Sequence, residues 1–448
     1  MVHHPSPSPV HAPPARPQPA AGDRQSLLNA RIFRRLMPLL VLSYVISFID
    51  RTNIALAKSH IEVDLGISAA AYGLGAGLFF LSYALLEVPS NLIMHRVGAR
   101  FWITRIMVTW GLLSAGMAFI TGETSFYVMR VLLGAAEAGL FPGVMLYLTY
   151  WFGREERARA IGYFLLGVCI ANILSGPVGG ALLQMDGILG WHGWQWMFVI
   201  EGLPAVALAW VVWKKLPDGP ASAPWLTAAE SREVLQRLQA EQDQQASAGQ
   251  VGHSLRDCLR DRQIWLAILV YFCHQISIYT VIFFLPGIIG TYGQLSPLQI
   301  GTLNSVPWIA AAIGAAWLPR FATHPQRCRR MLLAGLATMA AGLLVAALAG
   351  KASPALGLLG FSLTALMFFV VQSVVFLFPA SRLAGAGLAG GIALVNTCGL
   401  VGGFIGPTVM GMIEQATGST RNGLFIMAGL LVVAALASTR LRQGQETP

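Results

Sequence analysis

The chain has 448 residues, of which 55% are hydrophobic and 11% are charged. Soluble globular proteins carry roughly 25% charged residues, so this composition excludes an ordinary soluble fold and favours a protein whose surface faces lipid. The net charge of +10 would suit either a membrane or nucleic acid as partner, and the positions of the basic residues decide between them.

The chain begins with a polar segment that is followed by apolar ones. Residues 1–30 are rich in Pro, Ser, His and Ala, so we predict a disordered tail there rather than a signal peptide or a membrane span. Twelve apolar segments follow, and a helix needs roughly 20 such residues to cross a bilayer. They lie at residues 33–57, 71–94, 101–121, 124–152, 160–184, 196–215, 263–290, 298–319, 329–350, 354–380, 385–414 and 422–439.

The 30 Lys and Arg residues are distributed unevenly around these segments. All but five lie in the two tails or in and beside the loops that follow even-numbered segments; the exceptions are Lys58, Lys351, Arg421, Arg51 and Arg130. Because positive charge collects on the cytoplasmic side of membrane proteins, we predict a bacterial inner-membrane protein with both termini in the cytoplasm. The basic residues form no single patch, so no nucleic acid is expected as a partner.

One long polar stretch, residues 217–262, divides the predicted helices into two sets of six. We predict an N-terminal bundle over residues 31–216, a cytoplasmic linker over 217–262, a C-terminal bundle over 263–440 and a short tail over 441–448. Two short patterns occur once in each set, at nearly the same offset. A serine five residues before a glycine occurs as Ser68 and Gly73 and again as Ser296 and Gly301, and a Gly-Pro pair occurs at Gly176-Pro177 and again at Gly406-Pro407. The sequence therefore predicts an all-α membrane protein of two pseudo-symmetric six-helix bundles, with a binding site between them.

Charged residues inside the predicted helices are costly and usually mark function. In the first helix, Arg51 offers a planar fork that suits a carboxylate, and Asp50 is a candidate titrating group or counter-ion. The alternative is a structural ion pair. In the fourth helix, Arg130 and Glu137 are seven residues apart and lie on one face. Desolvation among small neighbours opposes the charged form of Glu137, which suits a proton carrier, although a structural partner for an arginine is also open.

Uncharged polar residues add weaker candidates. Gln372 and Ser373 in the tenth helix and Asn396 in the eleventh could hydrogen-bond hydroxyls or carboxylates of a ligand. Tyr83 and Glu87 lie one turn apart in the second helix, and the position of Glu87 near a helix end favours gating or packing.

Other features favour structural roles. His274 is expected to be satisfied by a neighbouring helix, and Glu201, beside Trp194 and Trp196, is expected at the membrane interface. The sequence contains no P-loop and no cysteine spacing typical of a metal site, so we expect no enzymatic activity, no cofactor and no metal.

Seven segments carry a family resemblance when they are taken together: Phe48–Asn53, Glu87–Asn91, Gly98–Arg100, Arg130–Gly143, Arg154–Ala160, Trp196–Pro204 and Asn396–Pro407. They resemble the major facilitator superfamily and, within it, the anion:cation symporters. Residues Trp225–Glu230 and Phe284–Pro286 are similar to the branch that holds tartrate, phthalate and hydroxyphenylacetate permeases.

The resemblance implies proton-coupled symport of a small organic anion, such as a sugar acid, a tartrate-like diacid or an aromatic acid. Arg51 would bind the substrate carboxylate, helped by Tyr83, Ser373 and Asn396. Asp50 and Glu137 would carry protons, and Arg130 would tune them. An anion exchanger or uncoupled facilitator, and a transporter-like sensor of an anion, remain as alternatives.

Overall fold

The computed structural model describes residues 21–247, 255–322, 324–350, 352–383 and 385–442, and its long elements are all α-helices. In chain order they are α1 (Ala21–Leu65), α2 (Ala69–Val97), α3 (Ala99–Gly116), α4 (Glu123–Glu137), α5 (Leu140–Thr149), α6 (Arg154–Leu183), α7 (Gly193–Lys215), α8 (Ala228–Ser247), α9 (Leu255–Arg260), α10 (Arg262–Gly290), α11 (Pro297–Trp317), α12 (Pro325–Ala349), α13 (Pro354–Arg382), α14 (Gly385–Thr417) and α15 (Arg421–Ser438).

Within these ranges, eleven spans are long and apolar enough to cross a membrane, with α4 and α5 counted as one span over Glu123–Thr149. The remaining predicted helix, the eighth in chain order, is α11, whose 21 residues pack against α6 and α13. Asn304, Ser305 and Pro307 lower the hydropathy of α11. The predicted all-α membrane fold of two six-helix bundles is confirmed.

The two halves repeat one another at the start of corresponding helices. Ser68 is the N-cap of α2, and its hydroxyl accepts a hydrogen bond from Ala71 N at 3.1 Å. Ser296 is the N-cap of α11, and its hydroxyl accepts a hydrogen bond from Gln299 N at 3.3 Å. Each hydroxyl satisfies an amide that the first turn of a helix leaves unpaired.

The same repeat brings the halves together. α2 packs against α14 and α11 packs against α6, each time with glycine at the closest approach. A Cβ on Gly73 would come within 2.3 Å of Pro407 O, and a Cβ on Gly301 within 1.9 Å of Gly176 O. The repeated Ser–Gly and Gly–Pro patterns thus mark two close contacts between the bundles, where only glycine lets the backbones meet.

The bundles are joined at the end of the molecule away from the linker, which we call the distal end; the end where α7 stops and α10 starts is the linker end. Lys58 Nζ on α1 lies 2.9 Å from Glu414 Oε2 on α14 and 3.0 Å from Glu62 Oε1 on its own helix. The backbone amide of Ala70 donates to Gln415 Oε1 at 3.2 Å. These contacts close the distal end.

At the linker end, α8 is attached to the N-terminal bundle. Arg31 on α1 forms an ion pair with Glu230 on α8, and Trp151 stacks on Trp225 with ring centroids 5.5 Å apart. A hydrogen bond from the Thr227 amide and the neighbouring Arg31 hold the pKa of Glu230 below its usual value. The described part of the linker is therefore packed against the N-terminal bundle.

The sequence prediction and the structure differ at the end of the N-terminal tail. The tail was predicted to extend to residue 30, but α1 begins at Ala21. The start of α1 is packed on other elements: the Asn29 side chain donates to Glu156 at 2.7 Å and accepts from Arg237 at 3.0 Å. Residues 1–20, and the end of the C-terminal tail from residue 443, lie outside the described part of the chain.

The fourth span was predicted as one helix over residues 124–152, but it is broken between α4 and α5. Gly139 has φ +94°, a left-handed conformation that glycine adopts without strain. Pro142 has no amide proton with which to bond Ala138 O. Instead, Ser90 on α2 donates its hydroxyl to Ala138 O at 2.7 Å, and Trp102 donates to the Ser90 hydroxyl at 2.9 Å. Glu137 is thus the last residue before the break.

Candidate functional site

An ion pair between α1 and α4 forms the centre of the site. Arg51 contacts Glu137 Oε2 through Nη2 at 2.8 Å and through Nε at 3.2 Å, and Ser47 Oγ donates to the same oxygen at 3.3 Å. Glu137 is fully buried, and its second oxygen, Oε1, has no hydrogen-bond partner within the described residues. One carboxylate oxygen thus carries all three hydrogen bonds.

Aromatic rings surround the guanidinium of Arg51. Its central carbon lies 4.7 Å from the ring centre of Phe48, 5.2 Å from that of Phe79 and 5.1 Å from that of Tyr83. Phe80, next along α2, contacts Tyr279 of α10 with ring centroids 4.2 Å apart. The ion pair therefore lies in the N-terminal half, beside the contact with the other half.

Arg130 occupies a separate position. Its guanidinium donates to Gly75 O at 3.2 Å and to Ala76 O at 3.4 Å, both on the backbone of α2. It also lies 4.9 Å from the Phe79 ring centre, so this ring stands beside both arginines. The hydrogen bonds of Glu137 go to Arg51 and Ser47, and an influence of Arg130 on Glu137 would act across space.

Asp50 faces away from Arg51, into the N-terminal bundle. Trp110 Nε1 donates to Asp50 Oδ2 at 2.8 Å, and Ser114 Oγ donates to Oδ1 at 2.9 Å. Both partners lie on α3, and Asp50 is 1% exposed. The adjacent residues Asp50 and Arg51 therefore belong to two different clusters.

The predicted residues of the C-terminal half lie on α13 and α14. Gln372 donates to the Tyr271 hydroxyl at 3.3 Å, while Gln372 Oε1 is buried without a partner in the described chain. Ser373 is exposed, and its hydroxyl bonds Phe369 O on its own helix. Asn396 is partly exposed. The contacts described above for Arg51 involve none of these three residues, so their role in binding stays a prediction.

Three further residues were given structural roles from the sequence. His274 is fully buried, contacts Gln275 Oε1 at 3.1 Å and Phe368 O at 3.2 Å, and is thus satisfied by its neighbours. Glu87 is buried on α2. Glu201 was expected at the interface but is 6% exposed, because its side chain lies inside the N-terminal bundle, close to Asn53 on α1.

The sequence interpretation missed three polar partners. Ser47 lies one turn before Arg51, and Trp110 and Ser114 lie one turn apart on α3. Polar side chains four residues apart on an otherwise apolar helix are the signal that could have found them. Among the described residues, no cluster of three or more His, Cys, Asp or Glu is placed to hold a metal.

The arrangement can perform two chemical tasks. Arg51 is a buried cation that can bind a carboxylate through two parallel hydrogen bonds. Glu137 is a buried carboxyl that can take up or release a proton. The two groups are hydrogen-bonded to each other. Protonation of Glu137 therefore changes the affinity of Arg51 for an anion, and an anion on Arg51 changes the affinity of Glu137 for a proton. A polytopic two-bundle fold with such an ion pair beside the interface between its halves is a membrane transporter.

The profile of the Major Facilitator Superfamily matches residues 40–407, and the chain belongs to this family. It is 41% identical over 419 residues to a “Putative tartrate transporter” of Agrobacterium vitis, covering 93% of this chain and 95% of that one. It is 40% identical over 422 residues to a “Quinolone resistance transporter” of Acinetobacter baumannii, covering 92% and 95%.

Among solved structures, the inward-open conformation of the xylose transporter XylE from E. coli aligns with a TM-score of 0.72 and 13% identity, covering 92% of this chain and 97% of that one. The fold is therefore that of the superfamily. The chain is a multi-pass membrane transporter, and its resemblance to the anion-transporting branch is confirmed by its relatives.

Proposed function

We propose that this transporter takes up a small organic anion together with protons by alternating access. The observation that carries the proposal is the bond between the buried cation and the buried carboxyl. Arg51 and Glu137 form a pair with no net charge, and Glu137 occupies the guanidinium edge that a substrate carboxylate would need.

Charge balance couples the two ligands. A charge that is buried without a partner is costly, so Arg51 keeps an anionic partner at every stage of the cycle. When a proton neutralises Glu137, the ion pair weakens and a substrate carboxylate can take its place. For a substrate with one carboxylate, the site then contains one anion and one proton more than before, so its net charge is unchanged; a second carboxylate would need a second proton for the same balance.

The substrate is proposed to be a carboxylate of modest size. The relatives at about 40% identity include two proteins described as putative tartrate transporters, which supports a tartrate-like acid. A relative described as a quinolone resistance transporter is equally similar, so sugar acids and aromatic acids belong in the same test. Tyr83 beside Arg51, and Gln372, Ser373 and Asn396 across the interface, are the proposed contacts for the rest of the substrate.

The distribution of basic residues supports a cytoplasmic linker end and insertion in a bacterial inner membrane. With that orientation, the closed distal end faces the periplasm. Rocking of the two bundles about the α2–α14 and α6–α11 contacts would open that end and expose Arg51 to the other side.

Uptake by purified protein in proteoliposomes tests the proposal. A panel of tartrate, gluconate and benzoate is first screened by thermal shift, since a ligand stabilises the protein that binds it. For an acid that binds, we expect accumulation above the external concentration when the external pH is lower than the internal pH, and loss of accumulation with a protonophore. Equilibration without accumulation would indicate a facilitator or exchanger instead.

A further inference from the structure

A second group of buried polar side chains lies between α1, α3 and α7, on the far side of α1 from the substrate arginine. Asp50 belongs to it, and each of its carboxylate oxygens receives one hydrogen bond, from Trp110 and from Ser114. Two donors of this kind stabilise an ionised carboxylate. Nothing in the proposed role of Arg51 and Glu137 uses the other members of this group.

Glu201 on α7 is the unexplained member. It is 6% exposed, and neither Oε1 nor Oε2 has a hydrogen-bond partner among the described residues. Asn53 on α1 is 1% exposed, and its Oδ1 and Nδ2 are likewise unpaired. The Glu201 carboxyl lies within hydrogen-bonding reach of the Asn53 side chain and close enough to Asp50 to interact with its charge. The four buried polar atoms are thus near one another, but no hydrogen bond of good geometry joins them.

The helix packing keeps this place closed. A Cβ on Gly202 would come within 2.7 Å of Ala115 N on α3, and one on Gly111 within 2.9 Å of Gly202 O. From the helices packed around α7, the charged group that faces Glu201 is Asp50, which has the same sign. An ionised Glu201 would therefore be an unpaired buried anion beside a second anion, which is an unfavourable combination in a desolvated site.

One proton on Glu201 would allow all four atoms to form hydrogen bonds. As a neutral acid, Glu201 donates its O–H to Asn53 Oδ1, and its carbonyl oxygen accepts from Asn53 Nδ2, which makes two parallel hydrogen bonds after small side-chain rotations. An ionised Glu201 could accept from Nδ2 but would leave Asn53 Oδ1 and one of its own oxygens unpaired. The geometry therefore favours the protonated form.

We propose that Glu201, paired with Asn53, is a second proton-binding site, occupied in the conformation closed at the distal end, and that it passes its proton to Asp50 during transport. In that step the O–H bond of Glu201 breaks and an O–H bond forms on Asp50, so the negative charge moves from Asp50 to Glu201. The transfer rests on the proposed proton coupling, whereas the protonated state of Glu201 does not.

Infrared spectroscopy of the purified full chain tests whether Glu201 carries a proton. We expect a carboxylic-acid C=O stretching band at neutral pH that shifts in D₂O and is lost in Glu201→Gln but retained in Glu123→Gln, whose carboxyl is exposed. Asn53→Ala should keep the band but raise its frequency, because the carbonyl loses its donor. A band unchanged in Glu201→Gln would overturn the proposal.

The number of protons moved per anion in proteoliposomes tests the transfer. Glu201→Gln keeps the shape of the side chain but cannot carry a proton, and Glu201→Asp keeps the protonatable group. We expect the ratio to fall by one proton in Glu201→Gln and to recover in Glu201→Asp, with Glu123→Gln at the wild-type ratio. A wild-type ratio in Glu201→Gln, or failure of both substitutions at position 201, contradicts the proposed transfer. A wild-type protein that moves no protons would instead contradict the proposed function.

Discussion

At the scale of single residues, the site depends on which partner each buried charge has. Arg51 and Glu137 neutralise one another, Arg130 is held by backbone carbonyls of α2, and Asp50 is held by donors of α3. These four charges therefore lie in three different local environments, although three of the four residues were grouped by the sequence as one proton-coupling set. The pair that includes Arg51 lies beside the other half of the molecule.

Arg51→Lys should weaken substrate binding while preserving the fold. Lysine keeps the positive charge, so the ion pair with Glu137 can persist, but a point charge cannot replace the two-pronged guanidinium. Loss of one hydrogen bond to a charged group, about 1.5–3 kcal/mol, corresponds to roughly a 10- to 100-fold lower affinity. Isothermal titration of the best acid from the panel measures it, with Arg421→Lys at the distal end as control. Wild-type affinity in Arg51→Lys would show that another group binds the carboxylate.

The sequence could identify the buried charges but not their pairing. Asp50, Arg51, Arg130 and Glu137 stand out in apolar segments, yet Arg51 and Glu137 are 86 residues apart and meet only because α1 packs near α4. Helical spacing instead placed Arg130 with Glu137. The direction in which a helix face points depends on packing, and a single sequence does not contain that information.

At the scale of helices, the broken fourth span is the main departure from a regular bundle. α4 ends at Glu137 and α5 begins at Leu140, so the carboxyl that pairs with Arg51 stands at a helix end. Gly139 and Pro142 were visible in the sequence, but the apolar pattern continued through them. The break became evident from the hydrogen bond that Ser90 donates to Ala138 O.

Ser90→Ala should destabilise the protein. The substitution removes the donor of Ala138 O and the acceptor of Trp102, and an interhelical hydrogen bond in a membrane protein contributes about 1 kcal/mol. Ser362→Ala is the matched control, because the Ser362 hydroxyl bonds Leu358 O within its own helix. We expect a lower melting temperature for Ser90→Ala than for Ser362→Ala. Equal melting temperatures would mean that the break is held by other contacts.

At the scale of the whole molecule, two features of the sequence predicted the architecture. The repeated Ser–Gly and Gly–Pro patterns lie at two of the helix contacts between the halves, α2 with α14 and α6 with α11. The uneven distribution of basic residues predicts the orientation, and Lys58, one of its exceptions, is bound to Glu62 and Glu414 in the contact that closes the distal end. A basic residue that departs from the overall charge distribution, such as Lys58, can thus mark a specific ion pair.

The predicted orientation places residue 231, on α8, in the cytoplasm. Ser231→Cys in a background without the five native cysteines should not react with an impermeant maleimide in right-side-out vesicles, but should react after the membrane is permeabilised. Efficient labelling of intact vesicles would reverse the orientation and, with it, the direction assigned to the closed distal end.

In the proposed mechanism, Glu137 couples proton movement to anion movement through Arg51. The most direct test of this claim compares two transport modes of Glu137→Gln in proteoliposomes, with Glu123→Gln as control. Gln resembles protonated Glu137, so we predict that the variant exchanges labelled for unlabelled acid across the membrane but does not accumulate it under a pH gradient, whereas wild type and control do both. Accumulation by Glu137→Gln at the wild-type level would contradict the claim.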